Sequence, residues 1–229
     1  ELLITIRQQH SAAEAKRIAG LIEAQRIETL GAAEFHARLE LRASPCVMVP
    51  VRAHYSWEKA LKLLGLGSAN LVTIPVTERM RMDADALDTA LAEAHDNRRP
   101  VLAVVGVLGS TEFGAIDPID RIVSARQRWR KRGLDFGVHV DAAWGGYLAS
   151  LFRNDARGMV GQTEMRERFH FFPSDEVYHA FGALRHADSM TVDPHKLGFI
   201  PFGCGAYVAR NRAMTDFISQ KAAYVFDAN

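Results

Sequence analysis

The sequence predicts an α/β fold built on a mostly parallel central sheet. Strand and helix signals alternate with short connections along most of the 229 residues. One segment, Pro100 to Leu108 (PVLAVVGVL), is a near-continuous apolar strand of the kind a parallel sheet buries on both faces. Three loops of unusual composition, GSTEFG, DAAWGG and DPHK, each directly follow a strand. Ligands in such sheets bind beyond the carboxyl ends of the strands, so these loops are expected to converge on one rim.

The elements follow in order. Ser11 to Gly31 reads as a helix: Ser11 and Glu14 form a capping box, Ile18, Leu21, Ile22 and Gln25 keep a helical period, and Gly31 suits the stop. Val47 to Val51 is a strand, followed by a short helix from Ser56 that ends at the glycines of LGLG. Leu71 to Val76 is a second strand, and Asp83 opens a helix running to about Asn97. After the Pro100 to Leu108 strand, Asp117 and Pro118 supply an N-cap and an N1 proline for a helix carrying Ile119, Ile122, Val123 and Trp129 and closed by Gly133. Phe136 to Val140 is the next strand. Residues 150 to 186 read as polar and irregular, then helical; Ser189 to Val192 and Gly205 to Val208 are further strands, and Ala213 to Val225 is a last helix. No internal repeat or low-complexity segment interrupts the pattern.

With 48% apolar and 24% charged residues the chain has globular composition and can bury a real core. Lys+Arg 28 against Asp+Glu 27 leaves a formal net charge of +1, and no basic block stands apart, which argues against nucleic acid or an anionic membrane as partner. A small molecule is the expected partner. The apolar run Val101 to Leu108 is far short of the roughly 20 residues a membrane span needs. Cys46 and Cys204 lie far apart without metal spacing, which points to a reducing compartment, the cytoplasm. A first residue of Glu rather than Met suggests a piece of a longer chain.

The rim residues have chemistry. Asp141 ends the strand FGVHV before two alanines and two glycines, a desolvated site where a cation should meet it, or where it caps the loop or pairs with an arginine. Lys196 stands between Met190 to Val192 and the apolar run Leu197 to Ile200. There it either returns its head to water or, its ammonium disfavoured, condenses with an aldehyde as a neutral amine. Pyridoxal phosphate chemistry needs both a lysine for the aldehyde and a carboxylate for the pyridine nitrogen. His54, at a strand-to-helix turn, could lie flat on an aromatic cofactor ring; Ser110 and Thr111 offer hydroxyls, and His195 could reach a phosphate or a carboxylate. Trp144, Tyr147, Phe199 and Phe202 read as core or pocket wall. A metal site on His139, Asp141 and His195 is poorly supported, because His139 and Asp141 share a strand face but lie one pleat apart.

The stretches HYSWEKA, GSTEFGAID, HVDAAWGG and ADSMTVDPHKLGFIPFG together resemble the group II pyridoxal-phosphate-dependent amino-acid decarboxylases, over about Glu1 to Asn229. PSDEVYHAF, DPHKLGFIPF and AAYVFD look most like the bacterial tyrosine decarboxylases. The resemblance implies pyridoxal 5'-phosphate as cofactor, Lys196 as its Schiff-base lysine, Asp141 as partner of the pyridine nitrogen, His54 stacked on the ring and Ala143 on its opposite face. Thr111 would lie near the ring hydroxyl or substrate, and Asp193 and His195 near the phosphate. It implies the large domain of the aspartate-aminotransferase-like fold (fold type I), with a seven-stranded, mostly parallel sheet and helices on both faces, in a homodimer with active sites at the interface. Residues 1–229 would be the central part of that domain, with the phosphate loop expected before Glu1 and a small domain after Asn229. The implied activity is decarboxylation of an aromatic, tyrosine-like L-amino acid to its amine and carbon dioxide. Phe202 departs from the tyrosine expected there. The competing readings are a glutamate-type decarboxylase, which would need an arginine such as Arg52 or Arg185 poised for a side-chain carboxylate, another pyridoxal-phosphate lyase, and an inactive dimerisation fragment.

Overall fold

The computed structural model describes residues 2–156 and 158–211, so the helix expected over Ala213 to Val225 lies outside the described residues. The chain divides into two compact units, with a boundary between Arg42 and Ala43. The first contains helices α1 (Leu2–Gln9), α2 (Ala12–Glu23), α3 (Ile27–Leu30) and α4 (Ala32–Arg38). The Ser11 capping box forms as expected, Ser11 Oγ accepting from the Glu14 N–H and Glu14 Oε2 accepting from the Ser11 N–H. The single helix expected over Ser11 to Gly31 does not form. Arg26 turns extended after α2 and is held there by Glu23 and Glu28, at 2.6 and 3.2 Å, before α3 begins. Gly31, at φ 76°, ends α3, which is where its left-handed backbone is required.

The second unit holds the sheet. Its strands are β1 (Cys46–Pro50), β2 (Leu71–Ile74), β3 (Val101–Val107), β4 (Gly137–Asp141), β5 (Ser189–Val192) and β6 (Ala206–Ala209), in the spatial order β2-β1-β3-β4-β5-β6. All neighbours are parallel except β5 and β6. The fold is therefore α/β with a mostly parallel sheet, of six strands among the described residues where seven were expected. Between the strands lie α5 (Ser56–Leu63), α6 (Ala84–Asp96), α7 (Ile119–Arg130), α8 (Gln162–Arg168) and α9 (Asp175–Ala183). Among the described residues no helix is long and apolar enough to cross a membrane.

Strand alternation divides the core between the two sheet faces. Met48 and Val104 join the larger cluster with Leu87 and Leu91 of α6, Ile119 and Ile122 of α7, Met165 of α8 and Phe181 of α9. Val47, Val49 and Val105 join a smaller one with Leu61 of α5. Phe152 belongs to the larger cluster and stacks on Phe181 at 4.1 Å, so the stretch read as irregular from residue 150 contributes to the core.

The start of α7 differs from expectation. Pro118, not Asp117, occupies the N-cap position, and Asp117 is fully buried. Its carboxylate accepts from the Met82 N–H at 2.6 Å and the Val107 N–H at 2.7 Å. Two buried backbone donors needing partners outweigh the cap, because an unpaired buried amide costs more than an open helix end. The Asp83 cap on α6 forms as read, accepting from the Asp85 and Ala86 N–H groups.

Candidate active site

Register sets the strand ends level: Val107 pairs with Asp141, and Asp141 with Thr191. The loops that follow meet around a cavity of about 240 Å³. Arg52, His54, Ser56 and Trp57 line it after β1, and Val107, Gly109, Ser110 and Thr111 line it at the end of β3. Asp141, Ala143 and Trp144 come from the end of β4, and Thr191, Asp193 and Lys196 from the end of β5. The three unusual loops thus share one rim, as strand–helix alternation requires. Close approach of two of them depends on glycine: a Cβ on Gly145 would sit 2.2 Å from the Leu108 carbonyl oxygen, which accepts the Gly145 N–H at 2.8 Å.

Lys196 has a partner. Its Nζ lies 3.0 Å from Asp193 Oδ2 and 5.5 Å from the centre of the Trp144 ring, and its side chain is 22% exposed. An ion pair therefore replaces the lone amine that its apolar flanks suggested. Those flanks are not a buried wall either, since Phe199 and Phe202 are 88% and 92% exposed and neither lines the cavity.

Asp141 is held by two N–H donors. The Trp57 indole Nε1 donates to Oδ2 and the Ala143 N–H to Oδ1, both at 3.3 Å. Among the described residues no ion pair involves Asp141. The Ala143 carbonyl in turn accepts from the Asp193 N–H at 3.2 Å, which ties the β4 loop to the β5 loop. Behind Asp141 on the same strand face, His139 points its two ring nitrogens at Ser189 Oγ (2.8 Å) and Thr191 Oγ1 (3.1 Å). Burial pushes the His139 imidazole below its usual range, against the opposing pull of Asp141, so it stands neutral at pH 7.

His54 is exposed, its Nδ1 2.8 Å from Ser56 Oγ and accepting from the Ser56 N–H. Thr111 is exposed on the β3 loop, while Ser110 is buried and its hydroxyl accepts from the Ala115 N–H at 3.1 Å. His195 is not among the lining residues: its Nδ1 lies 2.6 Å from the Cys204 carbonyl oxygen, and its Nε2 is 3.9 Å from Asp193.

Trp57 lines the cavity without having been singled out, and so does Arg52, named only as an arginine that a glutamate-type site would need. Arg52 is 6% exposed; it donates from Nη2 to Asp117 and from Nε to the Met80 carbonyl, and its Nη1 is buried without a hydrogen-bond partner. Burial pushes the Asp117 carboxyl upward, and Arg52 with the two backbone donors pulls against it. Arg185 is exposed, and its Nε lies 3.1 Å from His186 Nε2. A cue for Arg52 was its place directly after an apolar strand, where a guanidinium needs a buried counter-charge.

The donor set suits pyridoxal phosphate: a primary amine for its aldehyde, an oriented carboxylate for its ring nitrogen, an imidazole and a small methyl group for its faces, and a buried unpaired N–H on Arg52. Comparison with known proteins gives the same chemistry. The chain is 43% identical over 188 residues to an L-tyrosine decarboxylase of Enterococcus faecium, covering 79% of this chain and 31% of that protein. It is 32% identical over 182 residues to an L-2,4-diaminobutyrate decarboxylase of Acinetobacter baumannii, covering 80% of this chain and 30% of that protein. The chain thus spans about a third of the length of these relatives. The structure of mouse CSAD in its apo form superposes with a TM-score of 0.59 at 28% identity, covering 82% of this chain and 35% of that one. Residues 8–163 match the conserved domain of the pyridoxal-dependent decarboxylases, and with that match over most of its length the chain belongs to this family, whose cofactor is pyridoxal phosphate.

Proposed function

We propose that the full-length protein removes the α-carboxylate of an L-amino acid, aromatic side chains being preferred, to give the amine and carbon dioxide. The observation that carries this reading is that Lys196 and Asp141, far apart in sequence, line one cavity at the carboxyl ends of the strands. Bound there, pyridoxal phosphate supplies a ring that accepts the electron pair left when the carboxylate departs. Lys196 would hold the cofactor through its aldehyde, giving up its ion pair with Asp193. Asp141 would keep a proton on the ring nitrogen. His54 and Ala143 would bracket the ring, and Thr111 would face its hydroxyl or the substrate. Asp193 lies beside Lys196 and His195 just behind it, a placement compatible with a role toward the phosphate end.

The aromatic preference is supported by the 43% identical L-tyrosine decarboxylase and by the state of Arg52. That guanidinium is already neutralised by Asp117 through Nη2, which leaves only its Nη1 for another anion. The glutamate-type reading would have to draw on an arginine whose charge is already matched by Asp117, which weighs against it. A cytoplasmic homodimer, with each site completed at the interface, is part of the same proposal.

The test is carbon dioxide release by the full-length enzyme over a panel of L-amino acids, with borohydride trapping of the bound cofactor and peptide mapping. Tyrosine or another aromatic acid is expected to turn over fastest, with the cofactor mass on Lys196. Faster turnover of glutamate than of any aromatic acid overturns the substrate class. Label on Lys59, Lys62 or Lys131 overturns the assignment of Lys196.

A further inference from the structure

We propose that Trp57 is a positioning residue for the cofactor's ring nitrogen, acting through Asp141; this rests on the function proposed above. Trp57 is the second residue of α5 and packs against the small cluster of Val47, Val49, Leu61 and Val105, which anchors its ring on the sheet. Its ring meets His139 edge-on with centroids 5.5 Å apart, and its Nε1 donates to Asp141 Oδ2 at 3.3 Å. The other carboxylate oxygen is held by the Ala143 N–H. A carboxylate at a strand end swings about its side-chain torsions, and one donor on each oxygen fixes its plane. Each oxygen retains a free lone pair, so the indole orients Oδ2 without consuming its capacity to accept a proton-bearing ring nitrogen.

Trp57 also lies three residues after His54, on the same turn into α5. The Trp57 N–H donates to the His54 carbonyl at 3.1 Å, so the backbone that carries the imidazole and the indole that holds the carboxylate are joined on one turn. His139 behind them is neutral and brings no competing cation to Asp141. The indole N–H thereby orients the acid that sustains the electron sink, which is a positioning role distinct from packing.

A double-mutant cycle separates the two roles. In the full-length enzyme, Trp57→Phe keeps an aromatic ring and removes the donor. Its pyridoxal phosphate dissociation constant is expected to rise about tenfold, the scale of one hydrogen bond to a charged group. The turnover number should fall while KM stays within about twofold, the pattern of a loss felt in the transition state. In an Asp141→Asn background the same substitution should change cofactor affinity by less than about twofold. Should Trp57→Phe fail to fold, β-(3-benzothienyl)alanine at position 57, which exchanges the N–H for sulfur at nearly constant shape, is read in the same cycle. Equal losses in both backgrounds, or no loss in a folded variant, would overturn the proposal and leave Trp57 a packing residue. If the unaltered full-length protein binds no pyridoxal phosphate, the proposed function itself fails.

Discussion

Asp141 and Asp117 are carboxylates of opposite design. Asp141 is bordered by a cavity and held by neutral N–H donors, so its charge is left for a ligand. Replacing it by Asn keeps the shape and removes the charge. Single-turnover decarboxylation by the full-length enzyme at saturating cofactor should then slow by about 100-fold or more, the scale of losing a preorganised electrostatic partner. A rate within about threefold of wild type, under ~1 kcal/mol, would make Asp141 structural. Asp117 spends its charge internally on Arg52. Arg52→Met leaves a buried carboxylate unpaired and should cost about 3–5 kcal/mol at pH 7, measured by urea unfolding of the full-length protein. Burial already pushes Asp117 upward, and without Arg52 only the Met82 and Val107 N–H donors and the charge of Arg81 oppose it. A raised folded-state pKa means that stability is present below the unfolded value, about 3.9, and is lost as pH rises through the folded value. The gap between variant and wild type should therefore narrow as pH falls from 7 toward 4, and a gap that widens would show that Asp117 is not the group left unpaired.

At the scale of elements, the site is made by close approaches that glycine alone permits. A Cβ on Gly106 of β3 would lie 2.4 Å from Ile119 Cδ1 and 2.9 Å from Ile122 Cδ1, so α7 packs directly on the strand there. These are ends of flexible side chains, and Gly106→Ala should cost about 1–3 kcal/mol by overpacking, with cofactor affinity unchanged. A Cβ on Gly145 meets the backbone at Leu108, which cannot turn aside. Gly145→Ala should lower the denaturation midpoint further and also weaken cofactor binding, because it pushes the Asp141 loop away from the Gly109 loop. Equal affinity for the two variants would separate loop spacing from the site. The glycines, the alternating elements and the three rim loops were legible because each is a local pattern. The Arg52 to Asp117 pair and the Trp57 to Asp141 bond span 65 and 84 positions, and no local period carries such information. The same blindness explains why Asp117 read as a cap, whereas Lys196 has its partner only three positions away, at Asp193, within the DPHK loop itself. That blindness also made Phe199 and Phe202 look like wall: their hydrophobicity is local, whereas their exposure depends on the path of the whole loop.

For the sheet-bearing unit as a whole, Asp188 is a junction whose charge makes stability depend on pH. Its carboxylate accepts from the Val138 N–H at 2.8 Å and pairs with Arg126 of α7 at 2.6 Å and Arg210, just after β6, at 2.9 Å. Its backbone continues the same seam, the Asp188 N–H donating to the Val138 carbonyl and the Arg210 N–H donating to the Asp188 carbonyl. One residue thereby joins β4, β5, β6 and α7. Burial alone would raise this carboxyl, but the Val138 N–H and the two arginines outweigh it and hold the group below the usual carboxylate range. A depressed folded-state pKa contributes stability that is fully present above the unfolded value, about 3.9, and is lost as pH falls through the folded value. Asp188→Asn should therefore cost about 1–3 kcal/mol at pH 7, as expected for hydrogen bonds to a charged group in a partly exposed site. The cost should stay constant down to about pH 5 and shrink below pH 4, where Asp188 of the unfolded chain takes up its proton ahead of the folded one. Urea unfolding of the full-length protein and its Asn variant at pH 7, 5 and 3.5 reads this directly. A cost that is the same at all three pH values would mean that Asp188 acts by shape and neutral hydrogen bonding, and that the four elements are joined without its charge.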